Sequence, residues 1–205
     1  MIELSAPPDL DARALRRGLQ KTYAKIALFP ERTHHIHTGR RLAELLGYSA
    51  KELAGVPEAA IGSFCGAARP FELGSPAPGD TVVDIGCGSG TDLVIAARMV
   101  GPAGLAIGVD FCEEMAKTAD EAVRRAKLGS VEVLRGDAMS LPMDDASADV
   151  VIANGVINHL CSDKLAALRE AFRVLRPGGR LLLGDMAVGI AMPPEVRATV
   201  DLWTT

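Results

Sequence analysis

The chain has 205 residues, 48% of them hydrophobic, enough for one medium domain with its own core and an extension. Its 22 Lys and Arg against 26 Asp and Glu leave a formal net charge of −4 with the signs interspersed, which argues against nucleic acid as a partner and for small-molecule chemistry. Charges break every apolar stretch near the N-terminus, so neither a leader nor a membrane helix is expected, and the protein reads as cytoplasmic.

From Asp9 to Phe29, Leu10, Leu15, Leu19, Tyr23 and Ile26 recur at helical spacing until Pro30 interrupts them. Thr38 to Gly47 reads as a second helix, and Ser49 with Glu52 forms a capping box that opens a third. Gly62 to Gly79, rich in Gly and Pro, reads as a linker. The division is therefore residues 1–75 as a helical extension or lid and 76–205 as the core domain.

Beyond Asp80, short β-branched runs alternate with amphipathic helical segments. Strands are predicted at Thr81–Ile85, Leu105–Asp110, Val131–Gly136, Asp149–Ala153 and Arg180–Asp185, with helices near Asp92–Val100, Glu113–Leu128 and Asp163–Leu175. Pro177-Gly178-Gly179 ends the last helix and turns the chain into the fifth strand. The fold class is α/β, a Rossmann-like, doubly wound, mostly parallel sheet with helices on both faces, preceded by the helical extension.

The first strand runs into Asp84-Ile85-Gly86-Cys87-Gly88-Ser89-Gly90 and then a helix. Glycines there let the backbone take positive φ and admit a ligand close to it, although a tight turn without a ligand has the same composition. Two acids separate the readings. Asp110 ends the second strand about 20 residues on, where a carboxylate accepts ribose hydroxyls. Asp137 ends the third, within reach of an adenine amino group. Gly86-x-Gly88-x-Gly90 lacks the extra residue of the dinucleotide fingerprint, which favours a ligand without a pyrophosphate, S-adenosylmethionine (SAM). Asp84 then holds its cationic methionine end, or caps the turn.

From about Ala77 to Asp185 the sequence resembles the class I SAM-dependent methyltransferases. The carriers are the glycine loop, AGLAIGVDFCEEM with Asp110 and Met115, VEVLRGDAMSLPMDDASADVVIANGVINH, and REAFRVLRPGGRLLLGD. Asn154-Gly155-Val156-Ile157-Asn158 is most similar to the arsenite methyltransferase branch. The resemblance implies cofactor roles for Asp84, Gly86, Gly88, Gly90, Asp110, Phe111, Met115, Asp137, Ala138 and Asn154, the last through its backbone carbonyl beside the methionine portion. The product is S-adenosylhomocysteine. Arsenic(III) needs soft thiolate ligands, yet Ala67 and Gly155 stand where the resemblance implies cysteines, with Cys65 two residues from the first. A third cysteine and the last sheet strands would follow Trp203, so the chain reads as truncated, one route being a stop codon read as selenocysteine. The uncovered fifth strand invites a homodimer.

Cys65, Cys87, Cys112 and Cys161 lack paired spacing, and no metal site is expected; Cys87 and Cys112 read as packing. Catalytic candidates are Asn158 and His159 after the fourth strand and His37 in the run His34-His35-Ile36-His37. His159 suits a base near neutral pH or a solvent-facing helix start. His37 or Arg40 belongs to a lid over the cofactor or to an ordinary surface loop. The function expected is methyl transfer from SAM to a small-molecule acceptor. The alternatives are an inactive SAM-binding protein and a methyltransferase acting on an O, N or C nucleophile.

Overall fold

In the computed structural model, which describes residues 11–160 and 163–186, the β-branched runs form five parallel strands. They are β1 (Thr81–Ile85), β2 (Leu105–Asp110), β3 (Val131–Arg135), β4 (Ala148–Asn154) and β5 (Leu175–Gly184), in the order β3-β2-β1-β4-β5. The crossovers use α5 (Thr91–Val100), α6 (Glu113–Arg125) and α7 (Lys164–Val174). The strand order reverses beside β1, so β1 and β4 open a crevice at their carboxyl ends, the usual binding edge of such sheets.

Strand periodicity sorts the core. Val82, Val150 and Ile152 pack on one side of the sheet with Leu93 and Ala119, whereas Val83, Ile85, Val151 and Ala153 pack on the other with Ala167 and Ala171 of α7. By the same alternation Asp84 and Asn154 share the face of Val82 and Ile152.

That face is covered by the N-terminal segment. α1 (Ala12–Leu28) is capped by Asp11, whose side chain accepts from the backbone of Arg13 and Ala14, and it buries Leu15, Leu19 and Ile26. α2 (Gly39–Leu45), α3 (Ala50–Leu53) and α4 (Glu58–Gly62) follow, α3 opening with the Ser49–Glu52 capping box. Ala43, Tyr48, Leu53, Ile61, Phe64 and Phe71 belong to the same buried cluster as Val82 and Leu93.

Two local expectations change. Gly62 to Gly79 is no loose linker: Ser63, Phe64, Pro70 and Phe71 are buried, and Pro70–Leu73 forms a 3-10 turn. Apolar side chains inside that Gly- and Pro-rich passage give it a surface to bury. The fifth strand starts at Leu175, ahead of Pro177-Gly178-Gly179, because Leu175 pairs with Ala148 before the register shifts and resumes at Arg180 opposite Val150. Leu10, Cys161 and Trp203 lie outside the described residues.

The shared cluster makes Ile61, fully buried in α4, as costly to truncate as a residue of the sheet. Ile61→Ala should lower unfolding free energy by about 2–5 kcal/mol in urea denaturation within a single transition. A loss well under about 1 kcal/mol, or a separate early transition, would show the extension to be uncoupled from the core.

Candidate cofactor and acceptor site

A cavity of about 290 Å³ opens over the carboxyl ends of β1, β2 and β4, near the lower end of the size range for small-molecule sites. Its floor is the glycine turn. Gly86 has φ +66°, and a Cβ there would meet Val156 at 2.4 Å, so only glycine fits. Gly88 faces open space. Gly90 does not line the cavity; it caps α5 in the left-handed conformation, 3.0 Å from Ala119 where its Cβ would be. Its role here is helix packing, which the cofactor reading missed.

Four aspartates line this cavity, with Arg13 and Arg16 as the cations among its described residues. Asp110 accepts from the Gly88 backbone at 2.9 Å and the Cys112 backbone at 2.8 Å, tying the glycine turn to the end of β2. Burial pushes it up to about 6 against those hydrogen bonds. Asp92, in the first turn of the almost wholly buried α5, accepts from Tyr48 Oη at 2.5 Å and Asn154 Nδ2 at 2.8 Å. Burial raises it too, to about 6. Asp84 is 2% exposed, and its Oδ2 has no hydrogen-bond partner. Burial, with Asp92 and Asp110 nearby, holds it well above the usual carboxylate range.

Asp137 behaves differently. Its Oδ1 accepts from the Met139 backbone and its Oδ2 pairs with Arg16 of α1 at 2.6 Å, while the Arg16 guanidinium lies 5.2 Å from the Phe111 ring. Asp137, Ala138 and Phe111 all line the cavity, and α1 is laid across them. The cover is thus α1 and the loop at residues 63–66, not the histidine segment. His37 is exposed and lines no part of the cavity, His34 bonds the Phe29 carbonyl, and Arg40 pairs with Glu58. No metal-binding cluster occurs among the described residues.

Two further expectations are corrected. Met115 is 1% exposed and packs with Ile26 and Cys112, because position 115 falls on the buried face of α6. Asn158 turns from the cavity to the chain after β5: its backbone N–H donates to Asp185, its Nδ2 to the Met186 carbonyl, and its Oδ1 accepts from Lys164. Asn154 contributes its side chain, accepting from the Ala67 and Ala68 backbones at 2.8 and 3.0 Å while donating to the Ala68 carbonyl. It pins the covering loop to β4.

Sequence reasoning missed Asp92, Tyr48 and Tyr23. An acid beginning an otherwise apolar helix marks the first. Tyr23 lines the cavity from α1, its hydroxyl 2.8 Å from Nε2 of His159, which also lines it.

The segment at residues 76–204 matches a family model described as a methyltransferase domain, well over half of the chain. The chain belongs to the methyltransferase-domain family. It is 40% identical over 163 residues to an arsenite methyltransferase from Halobacterium salinarum, covering 79% of this chain and 41% of that protein. It is 42% identical over 108 residues to a demethylmenaquinone methyltransferase from Listeria welshimeri, covering 52% and 45%. An arsenic(III) S-adenosylmethionine methyltransferase from Chlamydomonas reinhardtii superposes with a TM-score of 0.58 at 37% identity, over 64% of this chain and 46% of that one. The chain spans under half the length of these relatives. SAM is the methyl donor for which the last of these is named. The cavity suits it: an unpartnered buried carboxylate oxygen and an acidic lining favour a cationic ligand, and Gly88 leaves backbone open to it.

The Tyr48 hydrogen bond favours ionised Asp92, so its contribution grows as pH rises through about 6 and shrinks below it. Tyr48→Phe should cost about 1–3 kcal/mol of stability at pH 8 and clearly less at pH 5, by urea denaturation. Equal losses at both pH values would remove Asp92 as the cause.

Proposed function

We propose that the chain is a SAM-dependent methyltransferase module acting on a small-molecule acceptor. Residues 76–205 form its cofactor-binding unit and residues 1–75 its cover. The observation that carries this reading is Asp84 Oδ2, buried and unpartnered in a cavity lined by four aspartates. In it Asp84 binds the cationic methionine end, Gly86 and Gly88 supply close backbone, and Asp110 uses its remaining lone pairs on the ribose. Phe111, Asp137 and Ala138 flank the adenine, and Asn154 keeps the cover closed over the methionine portion. SAM supplies a methyl group on a positively charged sulfur. The protein's work is to orient the acceptor, exclude water and receive a proton where the acceptor carries one.

A second reading concerns the acceptor. Relatives named for arsenite make a thiophilic substrate the first expectation. Against it, a Cβ at Gly155 would stand 3.6 Å from Ala67 Cβ. The two positions where the resemblance implies thiols face each other, and neither has one. Cys65 lines the cavity, but burial pushes its thiol up to about 12, which keeps it protonated. This favours an O, N or C nucleophile of a metabolite.

No described helix is long and apolar enough to cross a membrane. We place the protein in the cytoplasm, without nucleic acid or membrane as partners. A second copy then covers β5, the sheet's last strand among the described residues, where Leu183 is exposed. Sedimentation showing only monomers would exclude that dimer.

Calorimetry should show binding of both SAM and S-adenosylhomocysteine. Asp110→Ala should weaken SAM by about ten-fold or more, because a charged hydrogen-bond acceptor is lost. Absence of heat with either ligand would sink the methyltransferase reading, whereas binding without turnover on any acceptor would leave an inactive SAM-binding protein. Incubation with labelled SAM should yield no methylated arsenic from arsenite and glutathione but label a hydroxylated metabolite panel. The reverse result would restore the thiophilic substrate.

A further inference from the structure

We propose that Tyr23 and His159 form the acceptor subsite, which takes a neutral molecule by a phenolic or enolic hydroxyl and passes that hydroxyl's proton to His159. This rests on the methyltransferase reading above and adds the acceptor's chemistry and the base.

The pair is built by the fold from distant parts of the chain. Tyr23 comes from α1, His159 from the turn after β4, and their rings meet edge to face at 5.7 Å with an interplanar angle of 78°. Both line the cavity, together with Leu19, Phe64, Val156 and Leu160. His159 spends one ring nitrogen on the Tyr23 hydroxyl, and the other, Nδ1, is buried without a partner. An unbonded ring nitrogen inside a protein is costly, and a ligand group that bonds it removes the cost.

The proton's direction follows from the surroundings. Burial pushes His159 below its ordinary value; Asp185 opposes that shift and Lys164 adds to it. Near neutral pH the imidazole is therefore uncharged and holds one lone pair. Burial raises the Tyr23 phenol well above its usual range, and Cys65, Asp110 and Asp185 push the same way. Tyr23 stays a phenol and holds the imidazole by accepting from Nε2–H, which leaves the lone pair on Nδ1 and makes His159 the base.

Charge selects the acceptor. Asp92, Asp110 and Asp137, ionised near neutral pH, outnumber Arg13 and Arg16 in the lining, and Arg16 is already paired with Asp137, so an anionic acceptor is repelled. A neutral amine has a free lone pair and needs no base before attack, whereas a hydroxyl gains from losing its proton as the bond forms. The acceptor oxygen's electron pair bonds the methyl carbon while the carbon–sulfur bond breaks with its pair left on sulfur. The hydroxyl proton goes to His159 and then to solvent.

The test is calorimetry on the full chain saturated with S-adenosylhomocysteine, using 2-naphthol, the anion 2-naphthoate and, as a control for the added bulk, neutral 2-naphthamide as probes. The wild type should bind 2-naphthol and take 2-naphthoate at least about ten-fold more weakly than either neutral probe. Binding of 2-naphthol should fall on acidification, at a pH below the ordinary imidazole range because burial lowers His159, as the imidazole protonates. Tyr23→Phe and His159→Leu should each weaken 2-naphthol by about five-fold or more and leave S-adenosylhomocysteine affinity within about two-fold. Comparable binding of 2-naphthoate and either neutral probe, no 2-naphthol binding, or unchanged 2-naphthol affinity in both variants overturns the proposal. Should the variants fail to fold, the probe preference and pH profile of the wild type decide it. A wild type that fails to bind S-adenosylhomocysteine overturns the methyltransferase reading itself; cofactor binding without probe discrimination overturns this proposal alone.

Discussion

The rest of this structure depends on gathering negative charge at one end of a parallel sheet. Strands that all point the same way bring their carboxyl ends to one edge, and here Asp84 and Asp110 end adjacent strands while Asp92 begins the helix above them. Burying three carboxylates in one place is expensive, because desolvation penalises each and their mutual repulsion adds to it. The fold offsets that cost unevenly. Asp110 is served by two backbone N–H groups, and Asp92 by a phenol and an amide. Asp84 keeps an oxygen with nothing to bond. The deficit is local, and it favours a cationic ligand.

The N-terminal helices are organised by the same charges. Tyr48 reaches Asp92, the Ala67–Ala68 backbone reaches Asn154, which in turn donates to Asp92, and Arg16 reaches Asp137. The cover is thus fastened at three points to residues at the carboxyl edge as well as by apolar packing. Cofactor site and cover share hydrogen bonds, so disturbing Asp92 or Asn154 is felt in both. Tyr23 extends the pattern, joining α1 to the turn that follows β4.

How far this was legible in the sequence follows from which interactions are local. The strands, the glycine turn and the acids at 84, 110 and 137 lie in contiguous βα units whose periodicity and turn residues announce them. Tyr48, Asp92 and Asn154 are 44 and 62 residues apart, and no spacing rule links them. Gly90 and Met115 sit inside recognisable motifs yet face α6 packing, since a motif fixes the backbone path and not which side of a helix meets the ligand. His37 misled because three histidines in four positions resemble chemistry, whereas the chain between α1 and α2 carries His37 outward.

Gly155 shows how backbone and chemistry are linked. Its φ of +76° places it where side-chain-bearing residues are strained, and its N–H bonds the Gly184 carbonyl at 2.8 Å, fixing the end of β4 to that of β5. A cysteine at this position would carry that strain and would bring its Cβ 3.4 Å from the Ala67 nitrogen, which already donates to Asn154. The cost of a thiol here is therefore the backbone strain, since the contact with Ala67 is of ordinary van der Waals length. The turn after β4 is set for close backbone approach, and the groups around it are carboxylates, a phenol and an imidazole. A soft centre would find only the protonated Cys65 and the Met139 thioether among the described cavity residues outside the glycine turn, and no thiolate.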